Sequence, residues 1–375
     1  MNEAADKRPF RFYDNRQKYL AFVNTCNEKS KVADRAAEEL RHVDPQPPAL
    51  RVFDAGMGDA TVLSILMRAM HKRFATMPFF VVGKEISLED VRLSLEKLPD
   101  RFVEHAASVV VITNLYYAEA PWLTPARAED AANLNWHAVE LEGTSAYDFY
   151  EQLRDLDSLL VDGWQVKAGQ SGNPLYVRPS VLVLYRKDHR FMLDSVIPRP
   201  GDGGGGYDMV VASQPWRARM SAQFKARKVL LPLVRSLRRK GRLLAVQSTG
   251  RDPGLDIVRE IWPDEQPFQV SRHELLAALK EELGDELEQF TLDALSDEGA
   301  MLSYRMHTLP SEIGESIGTS TLFAAWNAAI YVAQIEDQRL AEAIHDGEYL
   351  ERTAKVLQKY GGLWFNDETF VVVRR

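Results

Sequence analysis

Short apolar runs alternate along much of this chain with stretches whose apolar residues recur every three or four positions. Leu50, Val52 and Phe53 form a run that ends in an acid, Asp54. Val62, Leu63, Ile65, Leu66 and Met70 then follow at helical spacing from Thr61. A second run, Pro78 to Ile86, closes on another acid, Glu85. Ser87 has the character of an N-cap, with Glu89 and Asp90 in the first turn of a helix that runs through Val91, Leu95 and Leu98. Ser108 to Asn114 reads as a third strand, buried on both faces. Ahead of these lies a helical pattern over residues 10–40, with Tyr19, Leu20, Val23, Val32, Ala33, Ala36 and Leu40. Pro45, Pro47 and Pro48 end it. Strand and helix in alternation predict an α/β fold with a parallel, doubly wound sheet.

The rhythm breaks over residues 118–206. A loop with Pro121 and Pro125 leads to a helical piece, Tyr147 to Leu160. Two strand-like runs, 175–186 and 190–197, meet near Lys187, Asp188 and His189 and predict an inserted β-hairpin unit. Residues 198–206, with four consecutive glycines from Gly203, read as a flexible link. The sheet resumes with Tyr207 to Ala212, followed by Ser213-Gln214-Pro215-Trp216. A strongly basic helix is predicted over 217–239, ended by Gly241, with a fifth strand from Arg242 to Gln247. Further expectations are a helix at 271–284, a strand at 301–307 and helices at 319–345 and 347–360. The strand that closes the chain from Trp364 carries an unbroken apolar run at 370–373, which predicts a central place in the sheet.

Composition narrows the class. At 375 residues the chain is one large domain with insertions, or two domains. Its hydrophobic and charged fractions, 45% and 27%, are ordinary for a globular protein. A net charge of −8 gives no overall pull toward nucleic acid. The single cysteine, Cys26, excludes an internal disulfide and a cysteine-rich metal site. The N-terminal residues have no apolar signal core, and no run reaches the length of a membrane span, so a cytoplasmic location is the expectation.

The turn after the first strand carries the chemistry. Gly56 and Gly58 put no Cβ between the backbone and a ligand, and the following helix N-terminus offers unpaired N–H groups. A dinucleotide fingerprint wants its third small residue at position 61, where this chain has Thr61. The pattern D-x-G-x-G-x-[GA] fits instead, with Asp54 before the first glycine and Ala60 at the end. Glu85 stands one crossover later, at the end of the neighbouring strand, so both acids face the crevice at the carboxyl ends of the strands.

This segment, with residues 49–115 and 207–250, resembles the core of class I S-adenosylmethionine (SAM) dependent methyltransferases. The resemblance implies a Rossmann-like, seven-stranded, mostly parallel sheet with helices on both faces and an antiparallel closing strand. It implies SAM as cofactor, held by Asp54, Ala55, Gly56, Gly58 and Ala60, by Glu85 and Ile86 at the ribose, and by Thr113 and Asn114 near adenine. Ser213-Gln-Pro-Trp216 loosely resembles the [DNS]-P-P-[YFW] tetrad of amino methyltransferases, with Gln214 in place of the first proline. Ser213 and Trp216 are the catalytic candidates, and Gln214 and Pro215 would contact substrate together with Tyr13 and Tyr19. No metal is implied.

The chain is thus expected to comprise an N-terminal helical segment, 1–48, that could close over the site as a lid, and a methyltransferase domain, 49–375. Tyr13, Tyr19, Asn27 and Lys29 are the lid residues that could close the pocket, and Trp326, Asn327 and Tyr331 share a face of the helical cap 311–360. The insertion 118–206 and that cap would shape the acceptor site. The expected reaction is methyl transfer to a small molecule or a protein side chain. An RNA or DNA amino methyltransferase, suggested by Ser213–Trp216 and the basic helix, and a non-catalytic SAM-binding scaffold are the alternatives, with a nicotinamide-dependent oxidoreductase further off. No general base and no oligomeric state follow from the residues.

Overall fold

The structure, a computed structural model, describes residues 16–169, 174–201, 204–314 and 316–375. Its strands are β1 (Leu50–Asp54), β2 (Phe79–Lys84), β3 (Ser108–Thr113), β4 (Asn135–Leu141), β5 (Val166–Ala168), β6 (Pro174–Tyr176), β7 (Ser180–Arg186), β8 (Tyr207–Ser213), β9 (Leu237–Ser248), β10 (Phe290–Asp293), β11 (Met301–Arg305) and β12 (Trp364–Arg374). Four helices position the site: α1 (Arg16–Thr25), α2 (Glu28–Glu39), α3 (Thr61–Arg73) and α4 (Leu88–Glu104).

The main sheet runs β10-β12-β9-β8-β1-β2-β3-β7-β4, with β11 paired to β12. Neighbours from β9 through β8, β1 and β2 to β3 are parallel. β12 lies antiparallel between β9 and β10, with Thr369 opposite Val246 and Val371 opposite Leu244 in β9. Its unbroken apolar run therefore buries both faces, as the pattern predicts. The expected seven strands are present, and the sheet is wider than expected. The insertion adds β7, antiparallel to β3, and β4, parallel to β7.

Alternation along each strand sorts the side chains into two cores. Phe53, Val210, Leu243 and Phe370 face one way, in a core that also holds Trp216 and Leu279. Val52, Val211, Leu244 and Val371 face the other, against Val32, Leu63 and Leu98 of α2, α3 and α4. A third apolar cluster joins Phe22 of α1 to Trp326 and Tyr331 of the helix Thr319–Val332. The Asn327 side chain donates to the Lys18 carbonyl at 2.9 Å, so the N-terminal helices and the helical cap pack as neighbours. Cys26 is buried there, and burial pushes its thiol up to about 12.

Several expected elements differ. The run 190–197 is no strand: Arg190–Leu193 is a helical turn, and Phe191 is 98% exposed. Its apolar residues find no partner strand, because β7 already pairs with β3 and β4. The small hairpin of the insertion is formed by β5 and β6 instead. The predicted helix 217–239 is shorter, ending at Arg235, and Leu237 already belongs to β9. Its Arg227 and Arg235 are paired with Glu282 and Glu286, which neutralises part of the basic face. The helix expected over 319–345 divides after Val332, where Gln334 takes a left-handed backbone (φ 54°). Among the described residues no helix is long and apolar enough to cross a membrane.

Candidate functional site

The strand order reverses between β1 and β8, since β2 and β3 lie to one side of β1 and β8 and β9 to the other. Carboxyl ends at such a reversal form a crevice, because the loops leaving the two strands diverge. The loop after β1 enters it. The Ala55 N–H donates to the Val211 carbonyl at 2.9 Å, and the Met57 N–H to the Lys84 carbonyl at 3.0 Å. The turn is thereby stitched to both neighbouring strands. Gly83 makes room for this: a Cβ there would lie 2.3 Å from Met57 Sδ.

The two glycines have different surroundings. Gly56 is exposed, and the nearest atom to an added Cβ would be the Ser213 carbonyl oxygen at 3.7 Å. Its open face is where a ligand can lie against the backbone. Gly58 has φ 53°, and an added Cβ would stand 2.7 Å from Tyr19 Oη. The phenol of α1 therefore covers the second glycine. Ala60 ends the turn in a left-handed conformation (φ 59°) that a non-glycine residue adopts only at some cost. Ala55 turns its side chain into the core beside Phe53 and meets the crevice only with its backbone.

Asp54 ends β1 and is buried, and its Oδ1 accepts from the Gly56 N–H at 3.2 Å. Burial pushes its carboxyl up to about 7, and the Glu85 charge adds to this, while the Gly56 N–H and the Lys29 ammonium oppose it. Glu85 braces the turn. Its Oε2 accepts from the Gly58 N–H at 2.9 Å, and its Oε1 from the Ile86 and Ser87 N–H groups at 2.8 Å each. A carboxylate has about four acceptor positions, so capacity for one further donor remains.

Lys29, from the first turn of α2, reaches over the same loop. Its ammonium donates to Tyr19 Oη at 2.6 Å and to Asp59 Oδ1 at 2.5 Å. Asp59 also accepts from the Thr61 N–H and hydroxyl and from Lys97, so it caps α3 in place of Ala60. These cations hold its carboxyl well below the ordinary range. The rings of Tyr19 and Tyr331 lie 5.8 Å apart, which brings the cap to the N-terminal helices above the crevice. Asp59 escaped the sequence reading, although D-x-T at a helix start is a capping signal. Tyr13 lies outside the described residues.

Two cofactor candidates have their side chains engaged within the fold. Thr113 and Asn114 are buried, with their polar atoms engaged by the insertion. Thr113 Oγ1 donates to the Ser180 carbonyl at 2.8 Å. Asn114 Nδ2 donates to the Gly163 and Arg178 carbonyls at 2.9 Å each, and Oδ1 accepts from the Ser180 N–H at 2.8 Å. These side chains tie β3 to β7 rather than reaching a ligand. Asn114→Ala should cost about 3 kcal/mol in urea unfolding, because buried carbonyls lose their donors. Nucleotide affinity should stay within about threefold of wild type.

Ser213 to Trp216 divide in the same way. Ser213 ends β8 with its carbonyl beside Gly56. The Pro215 carbonyl accepts from Tyr117 Oη at 2.8 Å, a bridge from the β3 loop that the sequence did not announce. Trp216 is buried in the core, its Nε1 donating to Gln247 Oε1 at 3.3 Å, so stacking on a substrate is not open to it. Gln214 has φ 48°. Its Nε2 donates to Ser248 Oγ at 2.9 Å and to Asp367 Oδ2 at 3.1 Å. Gln214 is therefore a brace between the ends of β8, β9 and β12.

The order and direction of the strands, with β12 inserted antiparallel, are those of the Rossmann-like methyltransferase fold. No protein-family model matches the chain, and no curated protein matches it in sequence. Solved structures to which it is similar include a geranyl diphosphate methyltransferase in complex with GPP and sinefungin, at 12% identity over 91% of this chain and 77% of that one, with a TM-score of 0.32. The [4+2]-cyclase SpnF is 12% identical over 100% of this chain and 85% of its own, with a TM-score of 0.34. The cyclopropane synthase MmaA2 from Mycobacterium tuberculosis is 12% identical over 91% of this chain and 83% of its own, also with a TM-score of 0.34. Fold alone does not name a reaction, so the site must carry the functional argument.

Proposed function

We propose that this protein is a SAM-dependent methyltransferase acting on a small molecule or a protein side chain. The observation that carries the reading is the open face of Gly56 at the strand-order reversal, between the buried Asp54 carboxylate and the Ser213 carbonyl. That face suits an elongated ligand with a cationic amino-acid end and a nucleoside end. Asp54 would hold the ammonium, the Gly56–Gly58 backbone would lie beneath the ligand, and Glu85 would accept one ribose hydroxyl while bracing the turn. When bound, SAM supplies a methyl group already activated as a sulfonium. The chain then has to align an acceptor with it, exclude water and manage the acceptor's proton. The pairing of Arg227 and Arg235 with acids neutralises part of the basic face, which favours these acceptors over a nucleic acid.

A thermal-shift panel of SAM, S-adenosylhomocysteine, NAD and NADP tests this reading. Stabilisation by the first two alone is expected, and stabilisation by a nicotinamide cofactor alone would reject it. Asp54 adds a pH dependence. Its carboxyl titrates near 7 in the ligand-free protein, and only the ionised form attracts an ammonium. Affinity for S-adenosylhomocysteine should therefore fall as pH drops below about 7, approaching tenfold per pH unit. Titration calorimetry from pH 5 to 8 measures this, and a flat profile would remove Asp54 from the ammonium site.

A further inference from the structure

A cavity of about 150 Å³ lies outside the crevice, where α4 packs against the insertion's helices Ala146–Arg154 and Asp157–Gly163. Leu95, Leu153 and Leu160, one from each helix, line it. All three are buried and form its floor. The ring of Tyr150 stands beside Leu153 as a wall. An apolar cavity of this size takes about six carbon atoms, enough for a branched or aromatic side chain. Its walls are fixed by contacts of their own. The Phe102 ring of α4 meets the Phe149 ring of the first insertion helix edge-on, with centroids 6.2 Å apart. Ser145 and Asp148 form a capping box that starts that helix. Arg92 Nε of α4 donates to Asp157 Oδ1 at 2.7 Å and ties α4 to the second insertion helix. A ligand entering such a site orders little of the protein.

Two charges that line the cavity are left over. Arg92 and Asp157 satisfy each other. Arg154 rests its guanidinium over the Tyr150 ring, 5.9 Å from the centroid, and among the described residues it makes no ion pair or hydrogen bond. Glu96, on the facing helix, makes none either. Both side chains are exposed, so a ligand can reach them. A cation and an anion standing apart beside an apolar floor complement a ligand that carries both charges and an apolar tail. A simple carboxylate drawn to Arg154 would meet Glu96 without a partner for it. A simple amine drawn to Glu96 would meet Arg154 in the same way. Only a zwitterion makes a charge-assisted hydrogen bond to each.

We propose that this cavity is a second binding site, for an α-amino acid with a branched or aromatic side chain. The carboxylate of the ligand pairs with Arg154 and its ammonium with Glu96. Its side chain fills the cavity over Leu95, Leu153 and Leu160, beside the Tyr150 ring. The site shares no residue with the Asp54 crevice, so the inference stands apart from the methyltransferase reading.

The test is titration calorimetry of the full chain with L-leucine and L-phenylalanine. Each is compared with the acid that lacks its ammonium, with its amide, which lacks the carboxylate charge, and with glycine, which lacks the side chain. The proposal expects at least one of the two amino acids to bind about tenfold or more tightly than all three of its analogues. Arg154→Gln and Glu96→Gln should each lower that affinity about tenfold or more, with the urea midpoint unchanged because both residues are exposed. Asp54→Asn should leave it within about threefold of wild type. Absence of binding by both amino acids overturns the inference, as does binding no tighter than that of an analogue. Binding that persists in Arg154→Gln overturns it too. Binding lost in Asp54→Asn would place the amino acid in the crevice and overturn it as well. None of these results touches the methyltransferase reading, which fails separately if S-adenosylhomocysteine does not bind.

Discussion

Replacing Asp54 by asparagine should lower affinity for S-adenosylhomocysteine by more than about a hundredfold and, in the same protein, raise the stability of the ligand-free fold. The two effects have one origin. Burial lifts the carboxyl from 3.8 to about 7, so the folded state binds its proton more tightly than the unfolded chain does. Stability is therefore lost as pH rises from about 4 to about 7, and the full penalty remains above that. The shift corresponds to an upper bound of about 4 kcal/mol at pH 8, with less than half of it present at pH 5. Asparagine keeps an oxygen for the Gly56 N–H and removes the charge. Urea unfolding of both proteins at pH 8 and pH 5 should show a gain of about 2–4 kcal/mol at the higher pH and a smaller one at the lower. A variant that loses stability at pH 8 would mean that Asp54 is there to hold the fold.

The paired substitutions Gly56→Ala and Gly58→Val should have opposite signatures. At Gly56 an added Cβ meets ordinary van der Waals distance to its nearest neighbour, so unfolding free energy should change by less than about 1 kcal/mol. The new methyl stands on the ligand face, and affinity should fall at least about tenfold. At Gly58 the backbone has φ 53° and the Cβ would overlap the Tyr19 hydroxyl. A β-branched residue there should cost about 3 kcal/mol and displace α1, so ligand binding fails together with the fold. Calorimetry and urea unfolding on the two variants read both columns. Equal loss of stability at the two sites would show that the glycines serve only the turn.

What could be read from the residues was local. Asp54, Gly56, Gly58 and Glu85 lie within two strand–turn units, where spacing alone puts them at neighbouring strand ends. β12 was legible because a run apolar on both faces must be internal. Partnerships across the chain were not legible. Asn114 follows a strand as a ligand residue would, yet its donors meet carbonyls of an insertion whose pairing no pattern announced. β4 was missed because, at the sheet edge, its residues mix polar and apolar types without clean alternation. Trp216 follows Pro215 as a stacking residue would, and its burial depends on Gln247 and on packing from distant helices. Gln214 looked like a defect in a substrate motif. It becomes intelligible only beside Asp367 of the last strand.

The central claim is that the crevice at Asp54 and Gly56 binds SAM. Titration calorimetry of the full chain with SAM at pH 8 tests it most directly. A single site with micromolar or tighter affinity, reduced more than about a hundredfold in Asp54→Asn, is the predicted result. No measurable heat with well-folded protein, or binding that is unchanged in Asp54→Asn, would contradict it.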